Sequence, residues 1–357
     1  MGAAAGPTTA EVCGRLAELA AQLNTADLRG LRVLLRSDLN VPLLPSGAVA
    51  DEARIAASLP AIKLLLSKGA RVVICSHLGR PDATSPDQDA QRRLYTLAPV
   101  AAVLRRLVGA AQFVGLAPDC IGPEARAAVD GLQDGQAVLL ENVRFHAGET
   151  SNDAAFAGRL AELVDAYVGD AFGVTHRDQA SVTCVPSLLP RRYPGPLVAL
   201  EVANYLATME RPRRPLGVAI GGAKVKDKIG VLRSLIGKAD VIAVGGRMAF
   251  TFLAGRGVSV GATQIEDDWV EPAREMIKAA AERGVRLLLP VDVLVSQSLD
   301  KAESPRIVEL TTTCCTREAP CIPAGCFGVD IGPASSAQYR SVLAGCNTLL
   351  WNGPMGK

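Results

Sequence analysis

A short, β-branched-rich apolar run that ends abruptly in polar or glycine residues, followed by a helix-forming stretch, recurs along this chain. In the first half the runs are "RVLLRSDLN", "RVVICSHLGRP", "QAVLLENVRFH" and "VDAYVGDAFG". In the second half they are "PLGVAIGGAK", "DVIAVGGRM", "VRLLLPVDV" and "NTLLWNGP". Continuous apolar runs, rather than alternation, predict strands buried on both faces, hence parallel sheets covered by helices. Helical patterns fill the intervals, for example over residues 55–68, 152–163, 226–235 and 271–283. Strands alternating with helices specify doubly wound α/β architecture. At 357 residues the chain has material for two such domains. Aromatics supply only 4% against 49% hydrophobic residues, so the cores must be built of Ala, Val, Leu and Ile.

Between the halves, "VPSLLPRRYPGPLVALEVANYLATMERPRRP" brackets a helical pattern with Pro and Arg at both ends. A helix between breakers predicts a stiff connector. The expected organisation is a first domain over 1–190, a connector helix over 191–212 and a second domain over 213–357. The fold class is therefore α/β, with two Rossmann-like parallel-sheet domains joined by a helical hinge.

Charge and cysteine usage narrow the function. The net charge is +2, from 38 basic and 36 acidic residues, which argues against a nucleic-acid or membrane footprint over a whole face. No apolar run approaches the roughly 20 residues that span a bilayer. Nine scattered cysteines suit a reducing compartment, and the spacing of Cys314, Cys315, Cys321 and Cys326 is not that of a zinc site. The Ala-rich N-terminus lacks a secretory pattern, and Gly6 stands where myristoylation needs Ser or Thr. A cytoplasmic location is expected, with a plastid left open.

Open parallel sheets bind ligands beyond the carboxyl ends of their strands. In the first half those ends gather the cations Arg54, His77, Arg80, Arg144, His146, His176 and Arg177, with Asp38 and Asn40 beside them. Arginine forks suit phosphate and carboxylate, so this basket predicts a small polyanion carrying hydroxyls. The second half ends its strands in Gly221-Gly222, Gly245-Gly246 and Gly353. Glycine lets backbone N–H groups approach phosphates or a purine closely. Lys224 and Lys228 at i, i+4 are expected on one face of a helix near its N-terminus, a triphosphate site by electrostatics. Neither "GVLRSLIGKAD" nor "GGAKVKDKIG" satisfies a Walker A or a dinucleotide fingerprint, which disfavours a Rossmann dehydrogenase. A polyanion site and a nucleotide site together imply phosphoryl transfer. No catalytic triad, nucleophilic cysteine or compact metal cluster competes with that reading.

The motifs "RSDLNVP", "SHLGRP", "LLENVRFHAGE", "GDAFGVTHR", "GGAKVKDKIGV", "VGGRMAFTFL", "GVDIGP" and "WNGPMG" occur in an order that resembles phosphoglycerate kinase. The resemblance runs from about Leu31 to the last residue. It implies reversible phosphoryl transfer from ATP to the carboxylate of 3-phosphoglycerate, giving 1,3-bisphosphoglycerate and ADP. An ionised carboxylate needs no general base, so the barrier is the meeting of two anions. By the same resemblance Asp38, Asn40, Arg54, His77, Arg80, Arg144 and Arg177 hold 3-phosphoglycerate. Arg54 resembles the family's arginine that stabilises the phosphoryl group in flight, and Lys228 the lysine that follows it, which makes these two the expected catalytic cations. Gly222, Lys224, Lys228, Gly246, Asn352, Gly353 and Pro354 hold the nucleotide. Magnesium rides on ATP/ADP, with no metal-binding residue assigned. Closure by hinge bending follows, with Glu201 a hinge-region partner, and a monomer is expected.

The sequence departs from the family pattern at Arg247, Gln179, "VSQSLD" and Cys326-Phe327. In the family "WNGPMG" continues into further nucleotide-binding segments, so the last part of the second domain is expected to be missing. Two outcomes follow: an active kinase, or a short form that binds 3-phosphoglycerate or a protein partner without turnover.

Overall fold

The computed structural model describes residues 9–226, 228–298, 305–310 and 322–356. Cys314, Cys315 and Cys321 of the cysteine group lie outside them, as does Gly2. Cys326 lies within, buried and not in a disulfide. The chain divides into two compact units, Met1–Asn204 and Tyr205–Lys357.

The first unit is built on six strands: β1 (Arg32–Ser37), β2 (Arg71–Cys75), β3 (Phe113–Leu116), β4 (Ala137–Leu139), β5 (Ala166–Asp170) and β6 (Arg191–Pro194). Their order is β3-β4-β2-β1-β5-β6, with every pairing parallel. Parallel pairing follows from burial on both faces. Val33 and Leu35 of β1 pack on one side with Ile62 and Leu65 of helix Ala53–Ser67, while Leu34 packs on the other with Leu160 and Val129. Fully burying a Leu or Val side chain contributes about 1.5–3 kcal/mol, so these two layers hold the sheet in register. Residues 191–194, placed in the connector from sequence, pair with β5 as β6. The helix expected over the connector forms over Pro196–Tyr205 and continues as a π-helical turn, Leu206–Glu210. Other helices also begin and end within a few residues of their sequence-based bounds, at Ala154–Ala161 and Val270–Glu282.

Among the described residues, the second unit contains two sheets. Strands β7 (Leu216–Ile220), β8 (Val241–Val244), β9 (Arg286–Leu288) and β13 (Thr348–Asn352) form a parallel sheet in the order β13-β7-β8-β9. Strands β10 (Asp292–Ser296), β11 (Arg306–Glu309) and β12 (Phe327–Ile331) form an antiparallel sheet in the order β11-β10-β12. The run "VRLLLPVDV", read from sequence as one strand, is thus split at Leu289-Pro290 between the two sheets. Pro290 has no N–H to continue a ladder, which favours the break. A second correction concerns β13. Its apolar run predicts burial on both faces, but Leu349 is 48% and Trp351 63% exposed. β13 pairs only with β7 among the described residues, and an edge strand lacks the second neighbour that would bury it.

Candidate active site

Because the first sheet is all-parallel, the carboxyl ends of β4, β2, β1 and β5 lie side by side along one edge. β1 leads directly to Asp38 and Asn40, β2 to His77 and Arg80, β4 to Arg144, and the segment after β5 to Arg177. Backbone at Gly79 ties these turns together. Its N–H donates to Asn40 Oδ1 at 2.8 Å, and its carbonyl accepts from Arg144 Nη1 at 2.6 Å. Gly79 has φ +61°, and a Cβ there would strike the ring of Tyr95, so only glycine serves. Asn142 fastens the same region. Its amide donates to Leu78 O and Tyr95 O at 2.8 and 3.0 Å, while its Oδ1 accepts from Leu78 N and Arg144 N.

The electrostatics of this edge are one-sided. Arg144 is 6% exposed and its Nε has no partner. Burial, then Arg177, Arg36 and Arg80, push its guanidinium down to about 10, with Glu149 opposing. It stays charged at neutral pH. His77 is 2% exposed, and burial followed by Arg36, Arg144, Arg177 and Arg54 pushes its imidazole down to about 2. His77 therefore sits in the basket as a neutral ring, not as the cation inferred from sequence, because four guanidiniums and desolvation all disfavour a further charge. Arg54, in the first turn of helix Ala53–Ser67, donates from Nη1 to Asp38 Oδ2 at 2.7 Å. Arg80 is exposed and Arg177 half-buried.

His146 and His176, also counted at the strand ends, stand differently. His176 is exposed, and His146 Nε2 lies 2.7 Å from Asp119 Oδ1. Donor atoms of Asp119, Cys120 and His146 come within 4.8 Å of one another, a grouping that sequence did not reveal. The imidazole is satisfied by the carboxylate, and burial, then Asp119, raise the Cys120 thiol well above its ordinary value. This is the arrangement of a hydrogen-bonded His–Asp pair beside an inert core thiol.

In the second unit the loops after β7, β8 and β13 meet. Gly221 N–H donates to Asn352 O at 2.9 Å, Gly245 N–H to Ile220 O at 2.9 Å, and Gly246 N–H to Met355 O at 2.6 Å. A Cβ at Gly246 would run into the backbone of Gly222 and Pro354, and one at Gly353 into that of Gly221. The three glycine turns are thus packed backbone to backbone, with Gly245 capping helix Gly246–Gly255. Gly222 is half-buried and Pro354 exposed. Lys228 Nζ donates to Asn352 Oδ1, joining the β7 loop to the end of β13. The expected helical face for Lys224 and Lys228 is not formed. The helix starts only at Ile229, Lys228 occupies its N-cap, and Lys224 lies exposed in the preceding loop. Glu266 accounts for the delay, since its carboxylate accepts from Val225 N at 2.5 Å and Lys226 N at 3.3 Å and holds that loop out of helical register. Arg247 follows Gly246 and donates from Nε to Ala223 O at 3.1 Å.

A cation basket in the first unit and a glycine cradle in the second can be compared with known proteins. The family model described as phosphoglycerate kinase matches residues 23–357. The chain belongs to the phosphoglycerate kinase family. Among relatives, the phosphoglycerate kinase of Synechococcus sp. (strain JA-3-3Ab) is 46% identical over 334 residues, covering 92% of this chain and 78% of the relative. That of Desulfotalea psychrophila is 43% identical over 334 residues, covering 94% and 81%. The solved structure of phosphoglycerate kinase from Coxiella burnetii is similar at TM-score 0.76 and 35% identity, covering 93% of this chain and 79% of that one. The Pyrococcus horikoshii phosphoglycerate kinase is similar at TM-score 0.75 and 27% identity, covering 94% and 80%. No described helix is long and apolar enough to cross a membrane.

Sequence reading of this phosphoglycerate kinase family member passed over Arg36, Glu149, Ser181 and Asp170, all buried polar residues around the basket. A signal existed for Arg36, a charge inside the otherwise apolar "RVLLRS" strand. For the others the partners are too distant in sequence to suggest themselves.

Proposed function

We propose that Asp38, Asn40, Arg54, His77, Arg80, Arg144 and Arg177 hold 3-phosphoglycerate in the first unit. Gly222, Lys224, Lys228, Gly246, Asn352, Gly353 and Pro354 hold ATP or ADP in the second. The chain is then a phosphoglycerate kinase in which the substrate carboxylate attacks the terminal phosphoryl group. No proton has to be removed from the nucleophile, so catalysis consists of positioning and charge neutralisation. Arg54 and Lys228 supply the mobile positive charge. Magnesium fits this donor set as an ion carried by the nucleotide, since Asn352 Oδ1 at the loops already accepts from Lys228. Its ligands would be phosphate oxygens, waters and one carboxylate, and it would neutralise charge on the phosphates.

One observation supports the basket most directly. Arg144 is buried among Arg36, Arg80 and Arg177 with its Nε unpartnered. A buried guanidinium bonded to one carbonyl and crowded by like charges costs several kcal/mol unless an anion completes it. A coupled assay with MgATP and 3-phosphoglycerate tests the reading. Turnover that collapses in Arg144→Gln with a raised KM for 3-phosphoglycerate is the expected result. Absence of both turnover and 3-phosphoglycerate binding in the unaltered chain would overturn it, and binding without turnover would favour the non-catalytic short form.

A further inference from the structure

Arg36 lies in the middle of the first sheet at 1% exposure, where an unpaired guanidinium would be prohibitively costly. A chain of buried groups compensates it. Arg36 Nε donates to Ser181 Oγ at 2.8 Å, and that hydroxyl donates to Glu149 Oε1 at 2.7 Å. Glu149 Oε2 accepts from Ser181 N–H at 2.9 Å, and Tyr167 OH donates to Ser181 O at 2.9 Å. Glu149 and Ser181 are both fully buried. On its other side, Arg36 Nη1 donates to Ser37 O at 2.6 Å and Nη2 lies 3.2 Å from His77 Nδ1.

Chemistry settles the direction of that last contact. A guanidinium has no lone pair, so Arg36 must donate and Nδ1 of His77 must accept. The ring proton is therefore on Nε2. We infer that Glu149, Ser181 and Arg36 form a positioning chain that holds His77 as a neutral Nε2–H donor in the 3-phosphoglycerate basket. The inference rests on the reading that 3-phosphoglycerate binds there. All three kinds of guanidinium nitrogen on Arg36 are engaged within the protein, so it acts through His77 and does not reach substrate itself.

The chain also spans the segments that carry the basket. Arg36, on β1, precedes Asp38; Glu149, in the short helix Ala147–Thr150, follows Arg144; and Ser181, in the turn Ala180–Cys184, follows Arg177. The charged groups that bear on His77 are Arg36 from β1, Arg54 from helix Ala53–Ser67, Arg144 from the turn after β4 and Arg177 from the segment after β5. All are cations. A protonated His77 would add to their repulsion, whereas a neutral donor gives a directed hydrogen bond whose strength does not vary around neutral pH.

The test uses the full chain labelled with nitrogen-15 in its three histidines, with signals assigned through His146→Gln and His176→Gln. His77 should show a single Nε2–H tautomer and no titration between about pH 5 and 8, in the absence of substrate. Ser181→Ala should produce a mixture of tautomers and weaken 3-phosphoglycerate binding, measured by calorimetry, by about 5-fold or more. Glu149→Gln keeps the shape but removes the charge, and should give the same two changes should Ser181→Ala fail to fold. An Nδ1–H tautomer in the unaltered chain, or titration near the ordinary imidazole value, would overturn the inference. Folded variants with unchanged tautomer and unchanged binding would do the same. Because the tautomer is read without substrate, a chain that shows it yet ignores 3-phosphoglycerate refutes the substrate assignment and not the positioning chain.

Discussion

Arg54 Nη1 and Asp38 Oδ2 form an ion pair of 2.7 Å in which the arginine side chain is 51% exposed and the aspartate 17%. A pair this open contributes roughly 0–1 kcal/mol, because water screens it and two side chains lose freedom. On the proposed reading, Arg54 is held near the basket by a contact weak enough to be given up for a phosphoryl group.

Arg54→Ala should lower kcat by about two to three orders of magnitude, the scale for losing one group that stabilises transition-state charge. Its thermal midpoint should stay within a few degrees of the unaltered chain, since the lost pair is weak. Coupled kinetics and a melting curve check both halves. A wild-type rate would remove Arg54 from the mechanism.

For Lys228→Ala, kcat should fall by more than ATP affinity does. Lys228 is the N-cap of the helix starting at Ile229 and donates to Asn352, and the proposed reading assigns its ammonium to the transferring phosphoryl group. Interactions made mainly in the transition state reduce kcat, while uniform ones change affinity. Single-turnover kinetics with separately measured ATP binding distinguishes the two, and a change in affinity alone contradicts the assignment.

Gly246→Ala should destabilise the second unit by roughly 2 kcal/mol or more and weaken ATP binding. Gly246 has φ +65°, and the new Cβ would meet the Gly222 backbone and Pro354 O, neither of which can rotate away. Urea denaturation and calorimetry measure these effects. Affinity for 3-phosphoglycerate in the first unit should be unchanged, and a loss there would show that the glycine cradle is not confined to nucleotide.

Asp170 carries a pH signature. Its Oδ1 accepts from Leu197 N and Val198 N at 2.7 and 3.3 Å at the start of helix Pro196–Tyr205, while its buried Oδ2 has no partner. Burial raises its carboxyl to about 6, against a smaller opposing effect of the two N–H groups. Between about pH 4 and 6 the folded chain holds this proton more tightly than the unfolded chain does. Stability from this group is therefore present at low pH and lost as pH rises through 6, by at most about 3 kcal/mol. His77 acts oppositely: with its folded value at about 2, stability falls as pH drops below the ordinary imidazole range. Asp170→Asn keeps the Oδ1 acceptor and removes the ionisation. Its stability relative to the unaltered chain should rise from pH 4 to 7 in denaturant titrations. A difference independent of pH would refute the shifted carboxyl.

Much of this architecture is legible in one dimension. Runs such as "RVVIC" and "GVAIG" must be buried on both faces, and residues just past them, Asp38, His77, Arg144, Gly222 and Gly246, must then lie at carboxyl edges. That inference needs only chain direction and parallel pairing. The state of each side chain was less accessible. His77 looked like one more cation until four guanidiniums were found around it. Lys224 reads as helical in sequence because Glu266, which holds its loop out of the helix, lies about forty residues away. Leu349 and Trp351 looked buried because apolar content alone does not reveal how many neighbours a strand has.

What the sequence determined by itself is the βα rhythm, the two-part organisation and the chemical type of each edge, cationic in one and glycine-rich in the other. These are local consequences of hydrophobic period and residue type. Only the tertiary structure decided that Arg36 meets Ser181 and His77, that Glu149 answers Arg36 through a serine, and that Asp170 caps a helix with one oxygen unpaired. Those contacts join residues 27 to 145 positions apart. Their energies come from desolvation and the placement of charge, which exist only once the chain has closed around them.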